Sequence, residues 1–212
     1  MTSTQTLTGD PMAHQEDPAK LRQTFIAAEL AASAATKQRI AESCSEAIAG
    51  AVDVVVRALR AGKKVLLCGN GGSAADSQHL ATEFVIRMNP AIRRPGLPAI
   101  ALTTDSSMLT AGANDIGYDN VFARAVEALG ASGDVLIGIS TSGKSESVNR
   151  AVTMAKGKGM TTIGFLGKDG GAMKALVDIA IIVPSGDTQR IQEGHITIGH
   201  IICGLAESEL YA

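Results

Sequence analysis

The stretch "DVLIGISTSGKSESVNRA", residues 134–151, changes character twice. Its first part is a continuous apolar run, the pattern of a strand buried on both faces. Its last part, from Glu146 onward, has the spacing of an amphipathic helix. Between them stands "STSGKS", where the hydroxyls of Ser140, Thr141, Ser142 and Ser145 surround Gly143, and Lys144 is the single cation. A strand that passes through such a loop into a helix is the building unit of a parallel α/β sheet, and the loop falls at the sheet's carboxyl edge.

The same unit recurs on either side. "KVLLCG" (64–69) leads into the helical "SAADSQHLATEFVIRM", and "LPAIALT" (97–103) into "DSSMLTAGAND" and then "DNVFARAVEAL". "MTTIGFLG" (160–167) precedes "GAMKALV", and "DIAIIVPSG" (178–186) precedes a helical pattern from about Thr188 to Glu209. Five apolar strands, each followed by helix, predict an α/β fold: a five-stranded parallel sheet in a three-layer αβα sandwich. Upstream, Lys20 to Arg60 is rich in Ala, Glu, Lys and Val at helical spacing. It predicts two long helices broken between Ala35 and Gln38, with apolar faces wide enough to pack against other subunits. No internal linker or repeat is visible, so residues 19–212 are expected to form one domain behind a loose polar arm, residues 1–18.

Composition narrows the partners. Formal net charge is −2 over 212 residues, and Trp is absent. Without a basic cluster or stacking aromatics, a nucleic-acid groove is not expected. No apolar run reaches the roughly 18 residues of a membrane span, and the opening residues lack the pattern of a signal peptide. Cys44, Cys68 and Cys203 are scattered, which suits reduced thiols in the cytoplasm better than a disulfide framework. The expected ligand is small and polar.

The hydroxyl loop suits a phosphate. A helix N-terminus presents unpaired N–H groups and partial positive charge, short hydroxyls add donors, and Gly143 allows close backbone approach. One serine would be no more than an N-cap, but four hydroxyls at a strand end ask for an anion. The loop lacks the GK[ST] ending of a P-loop. The other glycine loop, "CGNGGSAADSQH", is not GxGxxG, and no acidic residue is placed for a ribose. Ser73 in that loop reads as an N-cap.

Taken in order, "CGNGGSAADSQHLATEF", "RPGLPAIALTTD", "GANDIGYDNVF", "GDVLIGISTSGKS" and "RIQEGHITIGH" resemble the sugar isomerase (SIS) domain family, a phosphosugar-binding fold, and within it the phosphoheptose isomerases. The resemblance covers Leu59 to the C-terminus, and the N-terminal helices also fit. It implies ketose–aldose isomerisation of sedoheptulose 7-phosphate to D-glycero-D-manno-heptose 7-phosphate through an enediol, serving nucleotide-activated heptose and surface glycans.

His79 and Glu83 are four residues apart and share a helix face. Gln192 and His200 are offset by only about 80° around their helix and can line one wall. Spacing alone leaves Glu83 as ordinary solvated surface and the histidines as packing or capping residues. The resemblance implies more: Glu83 as the proton-transferring base and His200 as its acid/base partner. It also implies a zinc ion held by His79, Glu83, Gln192 and His200, although Gln is a weak zinc ligand. Asn70, Gly71, Gly72, Asn114 and Asp115 match the family's substrate contacts, together with the hydroxyl loop, Glu83 and Gln192; as isolated residues they are also good turn formers. His195 has no such match and is expected to be structural.

The apolar N-terminal helices predict a homotetramer. A non-catalytic phosphosugar-binding or replication-initiation regulatory member of the same fold is the alternative. The acid/base pair, Glu83 and His200, argues against it. Arabinose 5-phosphate isomerases are a third possibility, but those relatives often add C-terminal regulatory domains, which a chain ending at Ala212 is not expected to have.

Overall fold

The computed structural model describes residues 17–212, so most of the expected arm lies outside the described residues. Helix α1 (Pro18–Ser43) begins with Pro at its first position, and the Asp17 carboxylate accepts from Ala19 N–H at 3.0 Å. Both are favourable starts: proline's missing N–H costs nothing there, and the carboxylate satisfies an orphan donor. Helix α2 (Ser45–Arg60) follows almost without interruption. The break lies at Cys44, not between Ala35 and Gln38. The residues at 35–38 are fair helix formers with no breaker. Around Cys44, the hydroxyls of Ser43 and Ser45 donate back to the carbonyls of Arg39 and Ala41, at 2.8 and 2.6 Å. Such back-bonding bends helices.

Five strands follow: β1 (Val65–Gly69), β2 (Ala99–Ala101), β3 (Val135–Ser140), β4 (Thr161–Gly167) and β5 (Ile179–Val183). All pair in parallel in the order β2-β1-β3-β4-β5. The expected sheet is therefore present, with β5 ending just before Pro184, which cannot donate to a ladder. The connecting helices are α3 (Gly72–Val85), α4 (Ser106–Asp115), α5 (Val121–Leu129), α6 (Glu146–Gly157), the single turn α7 (Met173–Leu176) and the long α8 (Thr188–Tyr211). A 3-10 turn at Tyr118–Asn120 opens α5, where the sequence suggested one continuous helix.

Alternate strand residues fill two cores, as the period of two requires. Val65, Leu67, Ile137, Ile139 and Phe165 face α2, α3 and α8, while Leu66, Cys68, Leu136 and Leu166 face α5 and α6. The three layers are those expected. The chain leaves β1 for the edge strand β2, then returns to place β3 on the other side of β1, with Gly69 opposite Ile139. Strand order therefore reverses between β1 and β3, the position where open α/β sheets bind ligands. The loop 70–71 and the hydroxyl loop both stand there.

The first half of α1 leaves the sheet uncovered by it. Phe25 and Leu30 are 66% and 67% exposed, and Leu21 and Ile26 are exposed beside them.

Candidate active site

Gly71 (φ 56°), not Ser73, is the N-cap of α3. A cap residue here must turn left-handed to leave β1 and enter the helix, which favours glycine. Ser73 is buried one position inside the helix, its N–H bonded to Asn70 O at 3.0 Å. The Asn70 side chain ties three segments together: its amide donates to Ser147 Oγ at 3.0 Å, and its Oδ1 accepts from Tyr118 OH at 2.7 Å. Asn114 and Asp115 end α4 shortly before Tyr118; both are exposed, and their side chains bond each other at 2.7 Å. The Gln192 amide packs directly on Gly72, so closely that a Cβ there would overlap Nε2.

In the hydroxyl loop, Ser145 is the N-cap of α6 but makes no capping bond with its side chain. Its Oγ lies 3.0 Å from the buried Ser140 Oγ instead. The Ser145 side chain thus takes up none of the first-turn N–H groups of α6; its carbonyl accepts from Val148 N–H at 3.1 Å, which leaves the N–H groups of Glu146 and Ser147 at the helix start. Ser142 Oγ accepts from Lys144 N–H at 3.3 Å, and Thr141 is half-buried beside it. Gly143 (φ 63°) touches the next loop: a Cβ would overlap the Gly170 carbonyl, and Gly143 O accepts from Met173 N–H at 3.1 Å. Asp169 braces this second loop by accepting from Gly171 N–H at 3.1 Å. That bond, with the charge of Lys144, holds its carboxyl below the usual range. The 167–173 segment is therefore a buttress for the hydroxyl loop that the sequence did not reveal.

His79 and Glu83 lie on α3, and His200 comes to them from α8. The two imidazole Nε2 atoms are 2.8 Å apart, and His79 Nε2 is 3.2 Å from Glu83 Oε1. Ligand atoms of the three residues lie within 4.8 Å of one another, so the group can hold a metal ion. Two Nε2 atoms facing each other have room for only one proton between them, which suits two lone pairs aimed at one cation. Two nitrogens on a tetrahedral zinc stand about 3.3 Å apart, from Zn–N bonds of about 2.0–2.1 Å. A small rotation of either ring supplies that, so the donor set fits. Close helix approach makes the meeting possible: at Gly199, next to His200, a Cβ would overlap the Leu80 side chain. Gln192 faces the same helix, but against Gly72, at the other end of the wall.

Asp76 was missed, although its spacing to His79 and Glu83 (i, i+3, i+7) puts all three on one face of α3. Among the described residues its Oδ2 is buried with no hydrogen-bond partner. Burial lifts its pKa to about 6, and the attraction of His79 only partly offsets this. His195 is structural, as expected. It is wholly buried, Nε2 lies 2.9 Å from Leu166 O, and burial pushes its pKa down to about 4 despite that bond. Five residues along one helix thus separate a neutral core histidine from a site histidine.

The SIS domain model matches residues 30–167, from the middle of α1 to the end of β4. The chain belongs to the SIS domain family. Within that family, it is 54% identical over 189 residues to the phosphoheptose isomerase of Clostridium acetobutylicum, covering 88% of this chain and 95% of that protein. Among solved SIS structures it is similar to phosphoheptose isomerase GmhA from Neisseria gonorrhoeae (43% identity, TM-score 0.82) and to a phosphoheptose isomerase from Francisella tularensis (37%, TM-score 0.84). In both cases the match covers 88% of this chain and 98% of the other.

Proposed function

We propose that this SIS domain chain interconverts sedoheptulose 7-phosphate and D-glycero-D-manno-heptose 7-phosphate through an enediol. One observation supports the mechanism: a carboxylate and two imidazoles, from helices α3 and α8, converge in a fold whose switch point carries the hydroxyl loop. Glu83 removes a proton from C1 of the ketose and returns it to C2, leaving the aldehyde at C1. His200 moves the accompanying proton between O1 and O2, the task of a general acid–base. His79, beside Glu83, holds that carboxylate in place. Ser140, Thr141, Ser142 and Ser145 bind the phosphate, and Asn70, Gly71, Gly72, Asn114, Asp115 and Gln192 contact the sugar.

His79, Glu83 and His200 would hold a zinc ion, with Gln192 as a fourth ligand if its amide swings from Gly72. When bound, zinc acts as a Lewis acid toward the sugar oxygens. The exposed apolar face of α1 supports a homotetramer in which these helices are buried, and light scattering on the purified chain checks it. We place the single domain at residues 19–212 and the protein in the cytoplasm, in keeping with three buried free cysteines. No helix among the described residues is long and apolar enough to cross a membrane. The product would feed nucleotide-activated heptose for lipopolysaccharide and other surface glycans. Incubating the protein with sedoheptulose 7-phosphate and following aldose formation tests the assignment; no aldose with zinc supplied would refute it.

A further inference from the structure

Helix α3 ends at Val85, two residues beyond Glu83, so its last carbonyls lack helical partners. Arg94 supplies partners for two of them, with Leu97 N–H also donating to Phe84 O at 3.1 Å. The Arg94 Nη2 donates to Glu83 O at 2.9 Å and its Nη1 to Phe84 O at 2.8 Å. The third arm of the guanidinium, Nε, donates to Glu207 Oε1 at 2.6 Å. Glu207 stands seven residues past His200 on α8, two turns on and therefore on the same face. It accepts in addition from Met88 N–H at 3.1 Å and Asn89 N–H at 2.6 Å. Both side chains are 1% exposed. Burial raises the Glu207 pKa, but the Arg94 bond and these N–H donors outweigh it, so the carboxylate stays charged.

We propose that Arg94 and Glu207 are positioning residues for the proton transfer: they lock the last turn of α3, which carries Glu83, to the helix that carries His200. This rests on the isomerase reading for Glu83. Stability alone does not call for the pair. A buried ion pair costs several kcal/mol per ion in desolvation, and apolar side chains of similar volume often hold two helices at least as firmly. Apolar groups would not fix the rotation of the turn on which Glu83 stands. The planar guanidinium does so, because it binds two successive carbonyls and one carboxylate in a single rigid fork. The direct packing of α3 on α8, where Gly199 meets Leu80, sets the distance between the helices, and this pair adds a link at the last turn of α3 itself.

Arg94→Lys tests the proposal, since it keeps a cation for Glu207 and loses the fork. At a temperature where circular dichroism shows the variant fully folded, kcat should fall by about tenfold or more with KM within about twofold, and Zn²⁺ affinity should weaken by about 10–100-fold, the usual cost of removing an outer-shell support. Glu207→Gln should do the same. A folded Arg94→Lys protein with only a lower melting temperature, its kcat and Zn²⁺ affinity within twofold of the parent, would overturn the proposal. Failure of both variants to fold would make the pair a folding requirement and overturn it equally. If the parent binds Zn²⁺ but does not isomerise the sugar, the isomerase reading falls and the Zn²⁺ titration still decides the positioning role. A parent that does neither would overturn both.

Discussion

In the loop after β3, four hydroxyls, a glycine and a helix N-terminus lie within six consecutive residues; in the seam between α3 and α8, His79 and His200 meet from positions 121 residues apart. The loop needs only its own backbone and one buttress. The seam needs the whole sheet to bring two helices into register and a glycine to let them touch. On the proposed function, the first kind of site binds an anion that is already charged in the ground state, so it should govern affinity. The second is proposed to move protons, so a small displacement there should act on the rate.

Removing a member of the seam should give the largest effect. His200→Gln keeps size and a hydrogen-bonding tip but loses the titrating imidazole. Its kcat is expected to fall by about 10²–10⁴ with KM little changed. Initial rates over a range of sugar phosphate concentrations measure both, with zinc content determined on each sample.

Gly143→Ala attacks the loop through its backbone. The added Cβ overlaps the Gly170 carbonyl at a left-handed residue, so the loop must shift away from the 167–173 buttress. KM should rise by about tenfold or more while the melted fraction at assay temperature stays small. Ser142→Ala removes one donor and leaves the backbone alone. A hydrogen bond to a charged group contributes about 1.5–3 kcal/mol, so KM should rise by roughly tenfold at least, with kcat nearly unchanged. A collapse of kcat without a change in KM would erase the distinction between the two regions.

The effect most remote from the chemistry concerns stability and separates the two histidines of α8. His195 is neutral when folded, with a pKa near 4, against about 6.5 in an unfolded chain. Its contribution is complete above pH 6.5 and is lost as pH falls toward 4, because only the unfolded chain takes up the proton. The limit of that loss is on the order of 3 kcal/mol. Urea unfolding at pH 7 and pH 4.5 should show a steeper loss for the parent than for His195→Gln.

The same contrast explains what the sequence disclosed. Strands buried on both faces announce themselves as unbroken apolar runs, and "STSGKS" is a contiguous motif at a strand end, so the sheet and the position of the hydroxyl loop were legible. Glu83 and His200 were assigned by resemblance, since spacing alone left them as surface. The helix break was misplaced because serine back-bonding at Cys44 is a weaker signal than Gly or Pro. Ser73 looked like a cap because the left-handed turn at Gly71 is a property of the path from β1, not of composition. The Asp169 buttress and the Arg94–Glu207 link depend on contacts across the fold, which no local pattern encodes.

Transfer of the proton by Glu83 between the two carbons is the central step of the proposed isomerisation, and hydrogen exchange at carbon tests it directly. With sedoheptulose 7-phosphate in D₂O, the parent should wash deuterium into C1 of the ketose and C2 of the aldose. Glu83→Gln, with zinc content matched, should slow that exchange by at least about 10². Binding of the sugar phosphate should be retained, because the hydroxyl loop is untouched. Exchange at the parent's rate in Glu83→Gln would contradict the mechanism.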